Sequence, residues 1–238
     1  MSNTTTCTIV LPCYNPPKGW AGNIVQQVSV LSKELQGDID VVVVNDGSTK
    51  NISDEDIRVM TEKIPGFKWV DSDVNKGKGY ALRKGIAAAD TDIIIYTDID
   101  FPYTTESIKK IYDALTSGSC DLAAGVKDDA YYEKVPAARR YISKALRGLI
   151  KMFFSIPFTD TQCGLKGFTK DIKPLFLDTS IDRYLFDLEF IRKVHAKKYR
   201  IEQVYVSLKD DIEFRKMNYK VLLPELLNLI GLILRRKK

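Results

Sequence analysis

Short apolar runs alternate with helical patterns through the first half of this chain. CTIVLPCYN (7–15) predicts a strand, and the spacing of residues 20–35 predicts a helix. DIDVVVVNDGS (38–48) predicts a valine-rich strand of the kind covered on both faces. Ser53, with Asp56 three positions on, forms a capping pair that opens a helix reaching about residue 64. FKWVDSD (67–73) reads as a strand, GKGYALRKGIAAA (77–89) as a helix and DIIIYTD (92–98) as a strand. TTESIKKIYDALTSG (104–118) reads as a helix ended by Gly118, and CDLAAGV (120–126) as a fifth strand. Strands alternating with helices predict an α/β domain with a mostly parallel central sheet flanked by helices. Ligands of such sheets sit outside the carboxyl ends of the strands. The first four strands end there in polar residues: Tyr14-Asn15, Asn45 to Ser48, Asp71 to Asp73, and Asp98 with Asp100.

The second half has a different texture. RRYISKALRGLIKMFFS (139–155) predicts a basic amphipathic helix. Arg140, Lys144, Arg147 and Lys151 recur at helical spacing on one face, and Ile142, Leu146, Leu149, Ile150 and Phe153 line the other. FTDTQCGLKGFTKD (158–171) predicts a loop leading into a strand, 184–199 a helix and 201–210 a strand. VLLPELLNLIGLILRRKK (221–238) is apolar nearly all round, is interrupted by Pro224 and Gly231, and ends in four bases. There is no internal repeat and no low-complexity linker. The division expected is one domain over 1–210, with a ligand-binding half at 1–126 and a second half at 127–210, followed by a separate segment at 211–238.

Composition narrows the classes. A chain of 238 residues, 45% hydrophobic and 28% charged, buries a sizeable core. A net charge of +5 suits an anionic ligand or membrane surface and is too small to argue for nucleic acid. Cys7, Cys13, Cys120 and Cys163 form no CxxC pair and lie at no zinc-site spacing from the single histidine, so four reduced thiols are expected. The first residues show no basic, apolar leader, and no window has the ~20 apolar residues of a spanning helix.

The chemistry concentrates where IIIYTDID (93–100) ends a buried strand on two acids separated by one residue. Like charges that close cost free energy unless something positive offsets them. Two hard carboxylates also suit Mg²⁺ or Mn²⁺, with nucleotide phosphates completing the shell, although solvated acids at a strand end are common. Upstream, Gly77 and Gly79 bracket Lys78 at a helix start, where free backbone N–H groups and one lysine suit a diphosphate. A plain glycine-containing turn reads equally well. GxxxxGK[ST] is absent and no GxGxxG follows the first strand, which weakens the phosphate-loop NTPase and nicotinamide dehydrogenase classes.

In order, LPCYNPP, VVNDGS, NKGKGYALRKG, TDID and DTQCGLKGF with FDLEF downstream resemble the motif series of family 2 glycosyltransferases of the GT-A fold. DTQCG, GKG and FDLE are similar to the polyprenyl-phosphate and dolichyl-phosphate sugar synthases, nearest the dolichyl-phosphate glucose enzymes. The resemblance covers about residues 7–210. It implies that Pro12, Tyr14, Asn15 and Asp46 cup the nucleoside, Lys78 approaches the donor diphosphate, and Asp98 and Asp100 hold the metal. It implies that Asp160 lies near sugar and acceptor, Asp187 touches the sugar, and Glu189 supports a loop. Lys127, Arg139 and Arg140 would meet the acceptor phosphate, and Cys163 would have a packing role. The chain departs from the pattern at Pro16-Pro17, where acids follow YN in the family, at Asn45 for the first acid of DDGS, and at Pro102, where mannosyl-type members carry Gln. The spanning helices that follow in many relatives have no counterpart in these residues.

The implied reaction moves a hexose from a nucleotide sugar, UDP-glucose first and GDP-mannose second, to a polyprenyl or dolichyl phosphate, using Mg²⁺ or Mn²⁺. A single displacement inverts the anomeric centre. A phosphate acceptor is already ionised at neutral pH and needs no strong base, so Asp160 is expected to orient or bind sugar. Acting on a sugar hydroxyl, the same fold would use Asp160 as base. A non-catalytic nucleotide-sugar binding module is the reading from another class. A nucleotidyltransferase is disfavoured, because the first strand leads into PCYNPP and not into a glycine-rich loop. The location expected is cytoplasmic, peripheral at the cytosolic membrane face, with no nucleic-acid partner. The basic helix is either a solvated face or a contact for an anionic bilayer. The C-terminal segment serves either that bilayer, the core or a homo-oligomer. His195, on a lysine-rich helix, is expected to be an exposed residue with no catalytic part.

Overall fold

A computed structural model of the chain describes residues 7–127, 137–154, 156, 158, 160–210 and 222–234. The strands are β1 (Cys7–Cys13), β2 (Ile39–Asp46), β3 (Phe67–Ser72), β4 (Ile93–Tyr96), β5 (Leu122–Lys127), β6 (Lys166–Thr169) and β7 (Ile201–Val206). The α-helices among the described residues are α1 (Trp20–Leu35), α2 (Asp54–Lys63), α3 (Lys78–Ala87), α4 (Thr105–Thr116), α5 (Ala137–Phe153), α6 (Lys173–Leu177), α7 (Phe186–Ala196) and α8 (Leu222–Leu234). The strands form one seven-stranded sheet in the order β3-β2-β1-β4-β6-β5-β7, in which only β6 runs antiparallel to its neighbours.

The valine run of β2 follows from burial on two faces. Val41 and Val43 enter a core with Ile9, Leu11, Leu31 and Ile111, while Val42 and Val44 enter a second core with Val10, Leu82, Ile94 and Phe190. With period-two side chains, a strand covered on both sides is apolar at consecutive positions, here Val41 to Val44, and its polar residues Asp40, Asn45 and Asp46 stand toward its two ends. The helix ends follow from local chemistry. Ser53 and Asp56 form a reciprocal capping box at α2, each side chain accepting from the other's backbone N–H at 3.2 Å. Thr104 caps α4, and Gly118, at φ 71°, turns the chain past its end.

Two differences from the sequence pattern stand out. Strands β2, β4 and β7 stop short of the predicted spans 38–48, 92–98 and 201–210, so Asp98 and Asp100 lie beyond β4 in the following turn. Phe101, buried at φ 47°, makes that turn, its N–H donating to Asp98 O at 3.0 Å. The short α6, preceded by a 3₁₀ turn at Lys170–Ile172, was not anticipated, because five residues carry too little periodicity to read. Of the C-terminal segment only α8 is described, and it takes the core reading along one side, burying Leu229 and Leu232 in the core that α7 and the end of α5 share. Leu223, Leu226, Leu227, Ile230 and Leu234 remain exposed on its other side. No helix among the described residues is long and apolar enough to cross a membrane.

Candidate active site

Parallel strands β1, β2 and β4 deliver their carboxyl ends to one edge of the sheet. β6, running the other way, brings its first residue to the same edge, with Lys166 opposite Tyr96. Pro12 sits in β1 opposite Val44, and Tyr14 beyond it is exposed. Asn15, at φ 45°, accepts from the N–H groups of Thr49 (2.9 Å) and Lys50 (3.1 Å), and its own N–H donates to Ser48 Oγ (2.9 Å). The loops after β1 and β2 are therefore tied into one wall. Asn45 donates its amide to Asp71 Oδ1 at 2.7 Å and accepts from Ser48 N–H at 3.0 Å. An aspartate at this position would face Asp71 as a like charge, and the amide makes that approach favourable.

The start of α3 corrects one expectation. Four of the backbone N–H groups there are already taken within the protein. Gly77 and Lys76 donate to the Asp46 carboxylate at 2.8 and 2.9 Å, and Gly79 and Tyr80 donate to Asp182 O at 2.7 and 3.2 Å. The buried Asp46 thus holds the loop before α3, with Asn75 Nδ2 adding a third donor at 3.0 Å. The glycines serve close packing. A Cβ on Gly77 would lie 2.5 Å from Asp182 O, and one on Gly79 would lie 2.4 Å from Ile181 O. The 181–183 segment lies directly on the helix start, and Glu189 fixes it by accepting from the N–H groups of Ser180 and Ile181, both at 2.9 Å.

What remains of α3 for chemistry is the Lys78 side chain, and it answers the question raised by the paired acids. Its Nζ donates to Asp98 Oδ1 at 2.5 Å, with the lysine mostly buried and the carboxylate 42% exposed. Burial pushes the Lys78 ammonium down, but the charge and hydrogen bond of Asp98, with help from Asp187, outweigh it and leave the group above its ordinary value. The Asp98 carboxylate is boxed in from behind, since a Cβ on Gly164 of the DTQCG turn would stand 2.6 Å from Oδ2. Gly164 N–H donates to Tyr103 Oη at 2.9 Å. Burial drives the Tyr103 hydroxyl well above its ordinary value, so it is present as O–H. Cys163 is buried against the same hydroxyl, and burial raises its thiol as well, which gives a packing group and no thiolate nucleophile.

Asp160 accepts from Lys127 N–H at 3.0 Å, and Lys127 Nζ reaches Gln162 O at 3.4 Å, so these two belong to one corner of the site. Arg140 lies half-buried on α5. Arg139 lies on the first turn of α5, and its side chain falls outside the described residues.

Of one buried charge cluster, only Asp187 was expected from the sequence. Lys166 is fully buried and pairs with Asp187 Oδ1 at 3.1 Å, while Tyr96 Oη donates to the same oxygen. Lys166 Nζ also donates to Cys163 O at 2.5 Å. The cluster ties the DTQCG turn, β4 and the start of α7 together, and the Asp187 charge acts on Lys78, the partner of Asp98. A lysine inside GLKGFT, where alternation predicts an inward position, was the available signal. His195 is exposed, as its lysine-rich surroundings imply.

Among the described residues no three His, Cys, Asp or Glu side chains come together as a metal cage. Two carboxylates at an open strand end, one of them exposed, still fit a hard cation such as Mg²⁺ or Mn²⁺. Such ions are commonly held by one or two carboxylates plus substrate phosphates.

A mostly parallel sheet with a polar wall after β1 and β2, an acid pair after β4 and a returning antiparallel strand defines the GT-A class of nucleotide-sugar transferase folds. Solved structures share it. Glucosyl-3-phosphoglycerate synthase from Mycobacterium tuberculosis, in complex with Mn²⁺, UDP and glucosyl-3-phosphoglycerate, matches 98% of this chain and 80% of its own, with a TM-score of 0.62 at 18% identity. Mannosyl-3-phosphoglycerate synthase from Rubrobacter xylanophilus matches 98% and 74%, with a TM-score of 0.62 at 15% identity. The sequence model of glycosyl transferase family 2 matches residues 8–173, and the chain belongs to that family. Glycosyltransferase AglD of Haloferax volcanii is 27% identical over 207 residues, covering 84% of this chain and 32% of its own length. Dolichyl-phosphate beta-glucosyltransferase of Saccharomyces cerevisiae is 24% identical over 219 residues (84% and 66%), and the Homo sapiens enzyme of that name is 27% identical over 225 residues (87% and 68%). The chain therefore spans about a third of the archaeal relative and about two thirds of the others.

Proposed function

We propose that this protein transfers glucose, with inversion, from UDP-glucose to a polyprenyl or dolichyl phosphate at the cytosolic face of a membrane. The observation that carries the reading is the convergence on Asp98 of Lys78 from α3 and Gly164 from the DTQCG turn, two motifs distant in sequence. The names of the yeast and human relatives support the acceptor class and the sugar.

In this reading the tied loops at Asn15 and Ser48, with Tyr14 and Pro12, receive the nucleoside. Asp46 acts by holding the loop that presents Lys78. Lys78 carries its positive charge to the leaving diphosphate. Asp98 and Asp100 hold a divalent cation, which when bound offsets negative charge on the departing oxygen. Asp187 keeps the sugar side of the pocket ordered through Lys166 and Tyr96. Lys127, with Arg139 and Arg140 on α5, neutralises the acceptor phosphate. That phosphate is already a nucleophile at neutral pH, so Asp160 orients and does not take a proton. α5 and α8 face the bilayer, with Tyr141 and Met152 exposed beside the exposed Lys144 and Lys151, and with the outer leucines of α8.

A panel of nucleotide sugars in thermal unfolding, with and without Mn²⁺, tests the donor. A ligand at 100 times its Kd adds about 2.7 kcal/mol. UDP-glucose is expected to give the largest shift and to lose it on chelation. An equal or larger shift from GDP-mannose overturns the donor assignment.

A further inference from the structure

Lys78 holds an oxygen of the carboxylate that would hold the divalent cation. The ammonium sits 2.5 Å from Asp98 Oδ1, the other oxygen faces the backbone of Gly164, and the pair is mostly shielded on the lysine's side. An ammonium at that distance from the carboxylate supplies the positive charge that a cation would supply, in nearly the same place. Accepting the assignment of Asp98 and Asp100 in the preceding section, we propose that Lys78 is a competing counter-ion for Asp98, so that cation and donor diphosphate bind as a coupled pair. Before the donor arrives, the lysine holds Asp98 and lowers its affinity for a lone cation. The diphosphate offers the ammonium a second anionic partner, and Lys78 moves to it as Asp98 turns to the cation.

The fold permits the exchange. The backbone at Lys78 is fixed, because Asp46 and Asp182 hold the N–H groups on both sides of it, so only the side chain needs to swing. Asp98 is the more exposed partner and stays accessible from the solvent side while the lysine is in place. The coupling is a free energy shared by two ligands, so the cation must strengthen the diphosphate as much as the diphosphate strengthens the cation.

The test reads binding of Mn²⁺ by the loss of its aqueous paramagnetic resonance signal, with and without UDP, in the full chain. The wild type is expected to bind Mn²⁺ weakly alone and much more tightly with UDP. In Lys78→Met, Mn²⁺ without nucleotide is expected to bind about tenfold tighter, and the gain conferred by UDP to shrink by about the same factor. Lys76→Met removes the same charge from the same loop, where the ammonium contacts Tyr80 and not Asp98, and is expected to change Mn²⁺ binding less than about twofold. Lys78→Arg, which retains a cation against Asp98, is expected to follow the wild type. If Lys78→Met does not fold, the ¹⁵Nζ resonance of Lys78 in the wild type carries the same test. It should shift when Mg²⁺ and UDP are added together and hold still for Mg²⁺ alone. Equal Mn²⁺ affinity in wild type and Lys78→Met, or an equal gain in Lys76→Met, overturns the competition while leaving the metal assignment standing. Failure of every variant to bind Mn²⁺ in the presence of UDP overturns both.

Discussion

Buried charges are the part of this molecule where a single substitution says most. Lys166 is fully enclosed, and its partners are Asp187 and the Cys163 carbonyl. Lys166→Met leaves Asp187 buried without its cation, which costs about 3–5 kcal/mol. Lys166→Met combined with Asp187→Leu should cost clearly less than the two single changes added, as urea unfolding will report. A strictly additive pair would mean that the two side chains do not stabilise each other. Cys13 gives a pH-dependent counterpart. Burial pushes its thiol from 9.0 up to about 12, against a smaller downward pull from Ser48. Above pH 9.0 the unfolded chain loses that proton and the native chain keeps it, so the native state binds more protons and stability falls as pH rises toward 12. The slope reaches at most about 1.4 kcal/mol per pH unit, and Cys13→Ala should flatten it in urea titrations between pH 8 and pH 11. At this scale the sequence was uneven. Asp98 and Lys78 were legible because charge stands out against an apolar strand and a glycine-rich start. Lys166 was not, because a lysine within a strand is normally read as facing solvent until the opposing acid, 21 positions away in sequence, is seen.

The elements show a pattern that was readable with a cause that was not. Gly77 and Gly79 announced a helix start, and α3 begins there. Their spacing could not tell a diphosphate from a neighbouring chain, since both demand close approach to backbone. The occupant is the 181–183 segment. Gly79→Ala would place a Cβ 2.4 Å from Ile181 O and 2.9 Å from Phe186 Cβ, and should destabilise the fold by about 1–3 kcal/mol. Gly164→Ala makes a useful contrast, because its Cβ would meet Asp98 Oδ2 at 2.6 Å. It should weaken Mn²⁺ binding in the presence of UDP by more than Gly79→Ala does. A larger effect from Gly79 would place the metal carboxylate elsewhere. Helix boundaries with chemical stops, such as the Ser53–Asp56 box, were readable to within a residue. The short α6 lacked both periodicity and a side-chain cap.

For the whole molecule, the sheet order explains how motifs spread over most of the chain meet at one edge. The antiparallel β6 is the step that strand counting could not supply. It enters between β4 and β5, so the DTQCG turn arrives at the carboxyl ends of the parallel strands and meets Asp98. Arg192 of α7 ties α8 to the end of α5, bonding Leu232 O at 2.6 Å and lying over the Phe154 ring, and the outer side of α8 stays apolar and exposed. Leu226→Ser with Leu227→Ser should lower flotation with anionic vesicles about tenfold and leave stability nearly unchanged, because both side chains are exposed. Unchanged flotation would assign that face to something other than lipid. The central claim is glucosyl transfer to a lipid phosphate at Asp98 and Asp100. It is tested most directly by following radiolabelled glucose from UDP-glucose into polyprenyl phosphate in detergent micelles, with Mn²⁺, with chelator, and in Asp98→Ala. The account predicts a labelled lipid that requires the cation and falls at least about 100-fold in the variant. Labelled lipid formed equally under chelator and in Asp98→Ala, or label passing to a sugar hydroxyl and never to the lipid, would contradict it.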